Sequence, residues 1–352
     1  MLIIRKLTAW LAALSLLLSL QLPARAEDRP ACSAACAILT AGDGRVLYER
    51  SADLPAAMAS TTKLMTALVA LEQLDLNETV LIPEERCGVE GSSMYLRPGE
   101  QCSVRKLLEG LLLVSGNDAA LALAACLGGE AAFVAEMNRR AAELGMSNTH
   151  FVNPHGLPAE GHFASARDLA LLMDACCRRE DFLQIAAEPY VTTEQGLLKN
   201  HNKLLDLCPG CLAGKTGYTL AAGRCLVSCC ERDGIRLICV TLSDPRDWED
   251  HCALYDWGFS RFERRDLSDG LFWQLPLVSG TRERIRVRAE PLIAALLPGE
   301  LPETRALLPR FVFAPVEKGE EAGSLQILLN GRELGRCRLY FEEEAALGGR
   351  TE

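Results

Sequence analysis

Ser60 and Lys63 stand three residues apart in Met58-Ala59-Ser60-Thr61-Thr62-Lys63. Three residues is nearly one helical turn, so both side chains fall on one face and the amine reaches the hydroxyl. A serine is a poor nucleophile at neutral pH unless a base lies within hydrogen-bond reach. A lysine that is desolvated and crowded by a second cation loses its proton and can serve as that base. The start of a helix adds partial positive charge and backbone donors near an attacked carbonyl. On its own, Ser-x-x-Lys is common as a helix cap followed by a solvated lysine, so the assignment rests on what accompanies it.

Two further motifs accompany it. Ser115-Gly116-Asn117, in a turn between two expected helices, offers a hydroxyl to relay a proton and an amide to hold a peptide bond; ordinary capping turns use the same residue types. Lys215-Thr216-Gly217 opens an expected strand, where the glycine lets a substrate strand approach and Lys and Thr present a cation and a hydroxyl to an anionic group. Each is ordinary singly. In this order, with gaps of 55 and 100 residues between Ser60, Ser115 and Lys215, the three together are not.

The elements that must position them can be read coarsely. Residues 35–40 and 45–48 are expected to pair across Ala41-Gly42-Asp43-Gly44, since Asp-Gly between apolar runs is a strong hairpin signal. Leu64, Leu68, Leu71 and Leu74 predict a helix over 60–75, starting at Ser60. Further helices are expected over 106–114, 119–127, 131–144 and 165–177, the last with Ser165 as N-cap and Asp168 in its first turn. Beyond Leu212 the period changes, and 225–230 and 236–242 read as strands flanking the Arg232-Asp233-Gly234 turn. From about Leu275 only short β-like runs remain, at 284–288, 310–313, 325–329 and 336–341.

A chain of 352 residues exceeds twice the roughly 150 of a typical domain. Its 49% hydrophobic and 24% charged content excludes a disordered, collagen-like or coiled-coil protein. The formal charge of -10 argues against nucleic acid, which needs clustered Lys and Arg. Residues 1–26 read as a signal peptide: Arg5 and Lys6, an apolar run over 7–22, and the small-x-small site Ala24-Arg25-Ala26. An exported protein, outside the cytoplasm at the wall or the outer face of the cytoplasmic membrane, is therefore expected, with 27–270 as catalytic domain and 271–352 as a C-terminal β domain. Fifteen irregularly spaced cysteines, several inside apolar runs, are read as chemically idle small hydrophobes. Cys208-Pro209-Gly210-Cys211 is the single C-x-x-C. A zinc site would need two further ligands, and no second C-x-x-C or close histidine pair supplies them.

The triple Ser-x-x-Lys, Ser-x-Asn and Lys-Thr-Gly resembles the signature of active-site-serine penicillin-recognising enzymes. The flanks narrow the resemblance to low-molecular-weight penicillin-binding proteins acting as serine-type D-alanyl-D-alanine carboxypeptidases. They are the runs Met137 to Ala141 and Thr149 to Leu157, Asn200-His201-Asn202-Lys203-Leu204-Leu205, Gly214 to Thr219, and Asp247-Trp248-Glu249-Asp250-His251 before Tyr255-Asp256-Trp257-Gly258-Phe259. The resemblance implies an α+β, β-lactamase/transpeptidase-like fold: an antiparallel sheet flanked by helices plus a helical lobe, followed by a small all-β domain. It implies Ser60 as nucleophile, Lys63 as general base and Ser115 as proton shuttle. Asn117 would bind the acyl-side amide. Lys215 and Thr216 would take the terminal carboxylate beside Gly217, and the backbone N–H groups of Ser60 and Tyr218 would form the oxyanion hole. Arg246 is the nearest arginine for the carboxylate. The implied substrate is the D-Ala-D-Ala end of a peptidoglycan stem peptide, with β-lactams as inhibitors and no metal, cofactor or nucleic acid. His155, His251 and Trp248 are read as structural. An endopeptidase, a β-lactamase, a slowly deacylating wall or β-lactam sensor, and a thiol-rich metal or redox binder are the competing readings.

Overall fold

The structure, a computed structural model, describes residues 29–194 and 196–348. The expected signal segment 1–26 lies outside the described residues. From Ser33 onward the chain forms one unit, with two separate apolar cores, one lined by residues between Cys36 and Leu242 and the other between Leu275 and Ala345.

The chain opens with the hairpin β1 (Cys36–Ala41) and β2 (Val46–Arg50). Short pairs follow: β3 (Thr79–Leu81) with β4 (Gln101–Ser103), and β5 (Tyr190–Thr193) with β6 (Gly196–Lys199). β7 (Cys211–Thr219), β8 (Gly223–Arg232) and β9 (Ile235–Leu242) complete an antiparallel five-stranded sheet of order β2-β1-β9-β8-β7. Asp233 and Gly234 both take positive φ, +52° and +75°, as a two-residue hairpin loop of the twist-matched type demands. The middle strands read as continuous apolar runs because both faces are covered. The helices Ala166–Cys177 and Asp247–Ser260 both pack on β1, β8 and β9. β7 is an edge strand, and it carries Lys215-Thr216-Gly217.

The helical lobe is built around Lys63–Gln73, in which every residue from Lys63 to Leu71 is buried. A helix apolar all round must be surrounded, and Val104–Leu113, Asn117–Cys126, Glu130–Glu143, Ala166–Cys177 and Glu180–Ala186 surround it. Ser165 caps as expected, its Oγ accepting from the Asp168 N–H at 3.1 Å. The start of the first helix differs from expectation. Ala59–Thr62 is a 3-10 turn and the α-helix begins only at Lys63. Ala59 takes φ +47°, and the Thr61 and Thr62 hydroxyls bond back to the carbonyls of Met58 and Ala59, tightening the turn.

The remaining strands are β10 (Glu263–Asp266), β11 (Phe272–Val278), β12 (Arg284–Ala289), β13 (Ile293–Leu296), β14 (Glu303–Leu307), β15 (Val312–Phe313), β16 (Glu321–Leu329) and β17 (Arg332–Phe341). Six of them form a sheet of order β14-β16-β17-β12-β11-β15, while β10 pairs with β13. β11 escaped the sequence reading because Pro276 interrupts it; β10, β13 and β14 are short and rich in charge or alanine. The run over 310–313 shrinks to Val312–Phe313. Among the described residues, no single helix is long and apolar enough to cross a membrane.

Two buried imidazoles contribute to the acid sensitivity of this fold. His251 lies wholly buried between its helix and the sheet, with Ser228 Oγ 2.7 Å from Nδ1 and Thr241 Oγ1 3.0 Å from Nε2. Burial, against the pull of Asp250, pushes it down to about 3. His162, with Thr62 Oγ1 2.8 Å from Nε2, is pushed to about 4, first by burial and then by neighbouring histidines. Both stay neutral in the folded state and gain a proton on unfolding once the pH drops below their ordinary 6.5. Their contribution is therefore complete above pH 6.5 and is lost as the pH falls toward the folded values. Between neutrality and about pH 4.5, each should cost roughly 2 kcal/mol. Urea midpoints that do not fall across this range would contradict this.

Candidate active site

The site forms where the 3-10 turn, the Ser115 loop, the 153–157 loop and β7 meet. The positive φ of Ala59 turns the chain just before Ser60, a conformation that non-glycine residues hold only when the surroundings enforce it. Gly156 is one such surrounding: it sits at φ +91°, and a Cβ there would lie 2.1 Å from the Ala59 carbonyl oxygen. The 153–157 loop is held by Asn153, whose Oδ1 accepts from the N–H groups of His155 and Gly156 and whose Nδ2 donates to the Leu157 carbonyl. Thr66 ties the loop to the central helix by donating to the Pro154 carbonyl.

Lys63 is completely buried at the first turn of that helix. Its Nζ lies 3.0 Å from Ser60 Oγ, 2.7 Å from Asn117 Oδ1 and 2.5 Å from the His155 carbonyl oxygen. The Asn117 amide is oriented by its other end, where Nδ2 donates to the Glu90 carbonyl at 2.6 Å. A neutral amine has two N–H donors and one lone pair. With both donors directed to the two carbonyl acceptors, a neutral Lys63 would turn its lone pair toward Ser60 Oγ. Burial holds Lys63 well below the usual lysine range, the Lys215 charge adds to this, and Asp118 partly opposes it.

Ser115, in the left-handed region at φ +63°, presents its hydroxyl 3.1 Å from Lys215 Nζ. Lys215 is also buried, bonds the Thr216 carbonyl at 2.8 Å, and is pushed by burial to about 7. Gly217 follows with its Cα against the Ser60 turn: a Cβ there would stand 3.0 Å from the Ser60 backbone nitrogen. Thr216 is half-buried beside it and Tyr218 largely exposed. Thus Ser60, Lys63, Ser115, Asn117, Lys215 and Gly217 are drawn together from three segments.

Arg246 stands apart from this network. It precedes the helix Asp247–Ser260, is largely exposed, and its guanidinium lies 3.4 Å from Asp250 Oδ1. Among the described residues no hydrogen bond links it to Lys215 or Thr216. Arg224, directly across from Tyr218 in the β7–β8 register, instead pairs with Asp247 at 2.6 Å and lies over the Trp248 ring. His155 gives the site its carbonyl, and its ring accepts from the Leu157 N–H.

Two contributors have no mark in the sequence motifs. The His155 carbonyl is a backbone atom, for which no residue type is diagnostic. Asp118 is buried and accepts from Ser93 and from the N–H groups of Met94, Leu96 and Ala119, which closes the segment over Asn117. The signal for it was its place next to the Ser-x-Asn motif in the first turn of a helix.

The chain is similar to known proteins over most of its length. The family described as Peptidase_S11, D-alanyl-D-alanine carboxypeptidase, matches residues 24–246. The chain is 40% identical over 229 residues to the D-alanyl-D-alanine carboxypeptidase DacB2 of Mycobacterium tuberculosis, covering 62% of this chain and 79% of that protein. It is 32% identical over 326 residues to DacF of Bacillus subtilis, covering 87% of this chain and 84% of the relative. Among solved structures, penicillin binding protein 5 of Haemophilus influenzae aligns with a TM-score of 0.67 at 28% identity, over 90% of this chain and 98% of its own. With the motif residues assembled and the likeness running through both cores, the chain belongs to the D-alanyl-D-alanine carboxypeptidase family Peptidase_S11.

Proposed function

We propose that this protein is an exported serine D-alanyl-D-alanine carboxypeptidase that trims the terminal D-alanine from peptidoglycan stem pentapeptides through a Ser60 acyl-enzyme, and that β-lactams acylate the same serine. The observation that carries the reading is the environment of Lys63: buried, between two carbonyl acceptors, and 3.0 Å from Ser60 Oγ. In that setting the amine takes the Ser60 proton as the oxygen attacks the carbonyl of the penultimate D-alanine. The backbone N–H groups of Ser60 and Tyr218 receive the developing oxyanion, where preorganised donors are worth most. Ser115, bonded to Lys215, hands a proton to the departing amine. Lys215 and Thr216 receive the free carboxylate, Asn117 the acyl-side amide, and water then hydrolyses the ester.

The test is D-alanine release from a D-Ala-D-Ala pentapeptide, with intact-mass analysis after penicillin treatment in parallel. Release together with a single penicillin adduct supports the proposal. An adduct without release supports an endopeptidase or a slowly turning-over sensor instead, and no adduct refutes the assembled site.

The two lysines also define a pH profile. The chemistry needs Lys63 neutral and Lys215 charged, and Lys215 carries its proton only below about 7 in the free enzyme. kcat/KM should rise as Lys63 loses its proton and fall above about pH 7 as Lys215 loses its own. A bound substrate carboxylate favours the charged form, so the falling limb of kcat should lie at higher pH than that of kcat/KM. Lys215→Arg, which keeps its charge throughout, should abolish the falling limb. A limb that persists unchanged in that variant would assign it to another group.

A further inference from the structure

We propose that Cys208 and Cys230 are a redox-active pair that closes to a disulfide by exchange with a small disulfide, clamping the start of the strand that carries Lys215. The inference is independent of the hydrolase assignment. Cys208 caps the short helix Leu204–Leu207 just before β7, and Cys230 lies on β8. Both are buried, and their sulfurs, 22 positions apart in the chain, lie 3.8 Å from one another. A disulfide requires about 2 Å between sulfurs, a closure within the reach of side-chain rotation. The backbone around the pair is already tied together. The Cys211 N–H donates to the Cys208 carbonyl at 3.1 Å, the Glu231 N–H to the Gly210 carbonyl at 2.8 Å, and Arg232 Nε to the Pro209 carbonyl at 2.8 Å. Gly210 sits at φ +82°, and a Cβ there would lie 2.4 Å from the Glu231 carbonyl oxygen, so the 208–211 turn is pressed against β8 just beyond Cys230.

One sulfur of the pair is set up as the nucleophile. The Cys230 thiol donates to Cys208 Sγ, and Arg232 presents Nη2 3.5 Å from the same sulfur. Arg232 is itself fixed, by Asp256 at 2.7 Å and by the Phe259 ring 4.6 Å away. Donors and a cation favour a thiolate. The Cys230 donor first, and Arg232 after it, hold Cys208 below the ordinary thiol range against the cost of burial. Burial pushes Cys102, Cys176 and Cys225 the other way, which keeps those thiols protonated and inert. Cys208 adjoins the exposed Pro209-Gly210 turn, so lifting of that turn admits a small disulfide. The Cys208 thiolate attacks one sulfur of the reagent RSSR, the S–S bond breaks, and one RS⁻ leaves and takes a proton from solvent. Cys230 then gives its proton to solvent, attacks Cys208 Sγ and expels the second RS⁻, which is protonated in turn. Two thiols are oxidised, and one RSSR is reduced to two RSH. The ring closed in this way, 208–230, contains β7 with Lys215, Thr216 and Gly217. β7 is an edge strand, paired on one side only, and the bond holds its start against β8.

The test exposes the full chain, reduced and then freed of reductant without air, to excess 2-hydroxyethyl disulfide at about pH 7. Iodoacetamide under denaturant then blocks the remaining thiols, and digestion with tandem mass spectrometry locates the bond. We expect a cross-link between Cys208 and Cys230, two hydrogens lighter than the separate peptides and reversed by reductant. Cys208→Ala and Cys230→Ala should each abolish it, and Cys211→Ala should leave it in place. Arg232→Gln should slow its formation about ten-fold, through a smaller thiolate fraction at Cys208. The oxidised chain should unfold about 5 °C above the reduced one, because the closed ring removes freedom from the unfolded state. Should a cysteine variant fail to fold, the fragment spectra of the wild-type cross-link decide the matter. Recovery of both cysteines as iodoacetamide adducts, or their bonding to Cys211 or to the reagent instead, overturns the proposal. A bond that leaves the unfolding temperature unchanged or lowers it overturns the clamp.

Discussion

Ser60→Ala is expected to give no penicillin adduct and to lower D-alanine release on the order of 10⁶-fold, the scale found when a serine nucleophile is removed from a hydrolase. The effect should fall on kcat, because the groups proposed to bind the peptide are Asn117, Lys215 and Thr216, and none of them depends on the Ser60 hydroxyl. Folding should be little affected. Among the described residues the Ser60 side chain has one hydrogen bond, with Lys63, and the turn that carries it is held by Thr61, Thr62 and Gly156. Unchanged thermal unfolding with lost acylation is thus the expected pairing. A Ser60→Ala protein that still acquires the adduct would remove Ser60 from the mechanism.

Lys63→Met should be the second most damaging change, lowering acylation and turnover on the order of 10⁴-fold, the upper range for a positioned general base. Lys63→Arg should not restore activity, since a guanidinium keeps its proton at every accessible pH. The stability of Lys63→Met carries a separate signature. Methionine leaves Asn117 Oδ1 and the His155 carbonyl without their donor, a loss of about 1–3 kcal/mol for each buried group. Against this, the wild type must hold an amine in a site that disfavours its charge. Because the folded pKa lies below the unfolded one, the unfolded wild type binds more protons, and its stability rises with pH up to the ordinary lysine range. The variant lacks that term, so its deficit should be smallest near neutrality and grow as the pH rises. Chemical denaturation of both proteins at neutral and alkaline pH reads this directly. A deficit that does not change with pH would mean that Lys63 is charged in the folded protein, which would disqualify it as the base.

The motif triplet and much of the catalytic scaffold were legible in the chain because they rest on local rules. Leucines at helical spacing predicted the central helix, Asp233-Gly234 predicted the turn between β8 and β9, and Ser165 predicted a cap. The local rules failed where a long-range contact prevailed. Ser60 looked like the start of a helix, yet Gly156, nearly a hundred residues away, leaves room for the left-handed turn that delays the helix to Lys63. Cys230 looked like a small apolar filler on a strand, because nothing in its own segment shows that its sulfur lies 3.8 Å from that of Cys208.

The sequence by itself determined which chemical groups are present and in what order: a hydroxyl, an amine, a second hydroxyl, an amide and a second amine, each on an element that its neighbours specify. Only the tertiary structure decided their protonation and reach. Lys63 and Lys215 are 152 positions apart in the chain, yet burial in one site lowers both, and the charge of Lys215 adds to the burial of Lys63. A side chain's identity is local, but its desolvation and the field of its neighbours are properties of the packed whole.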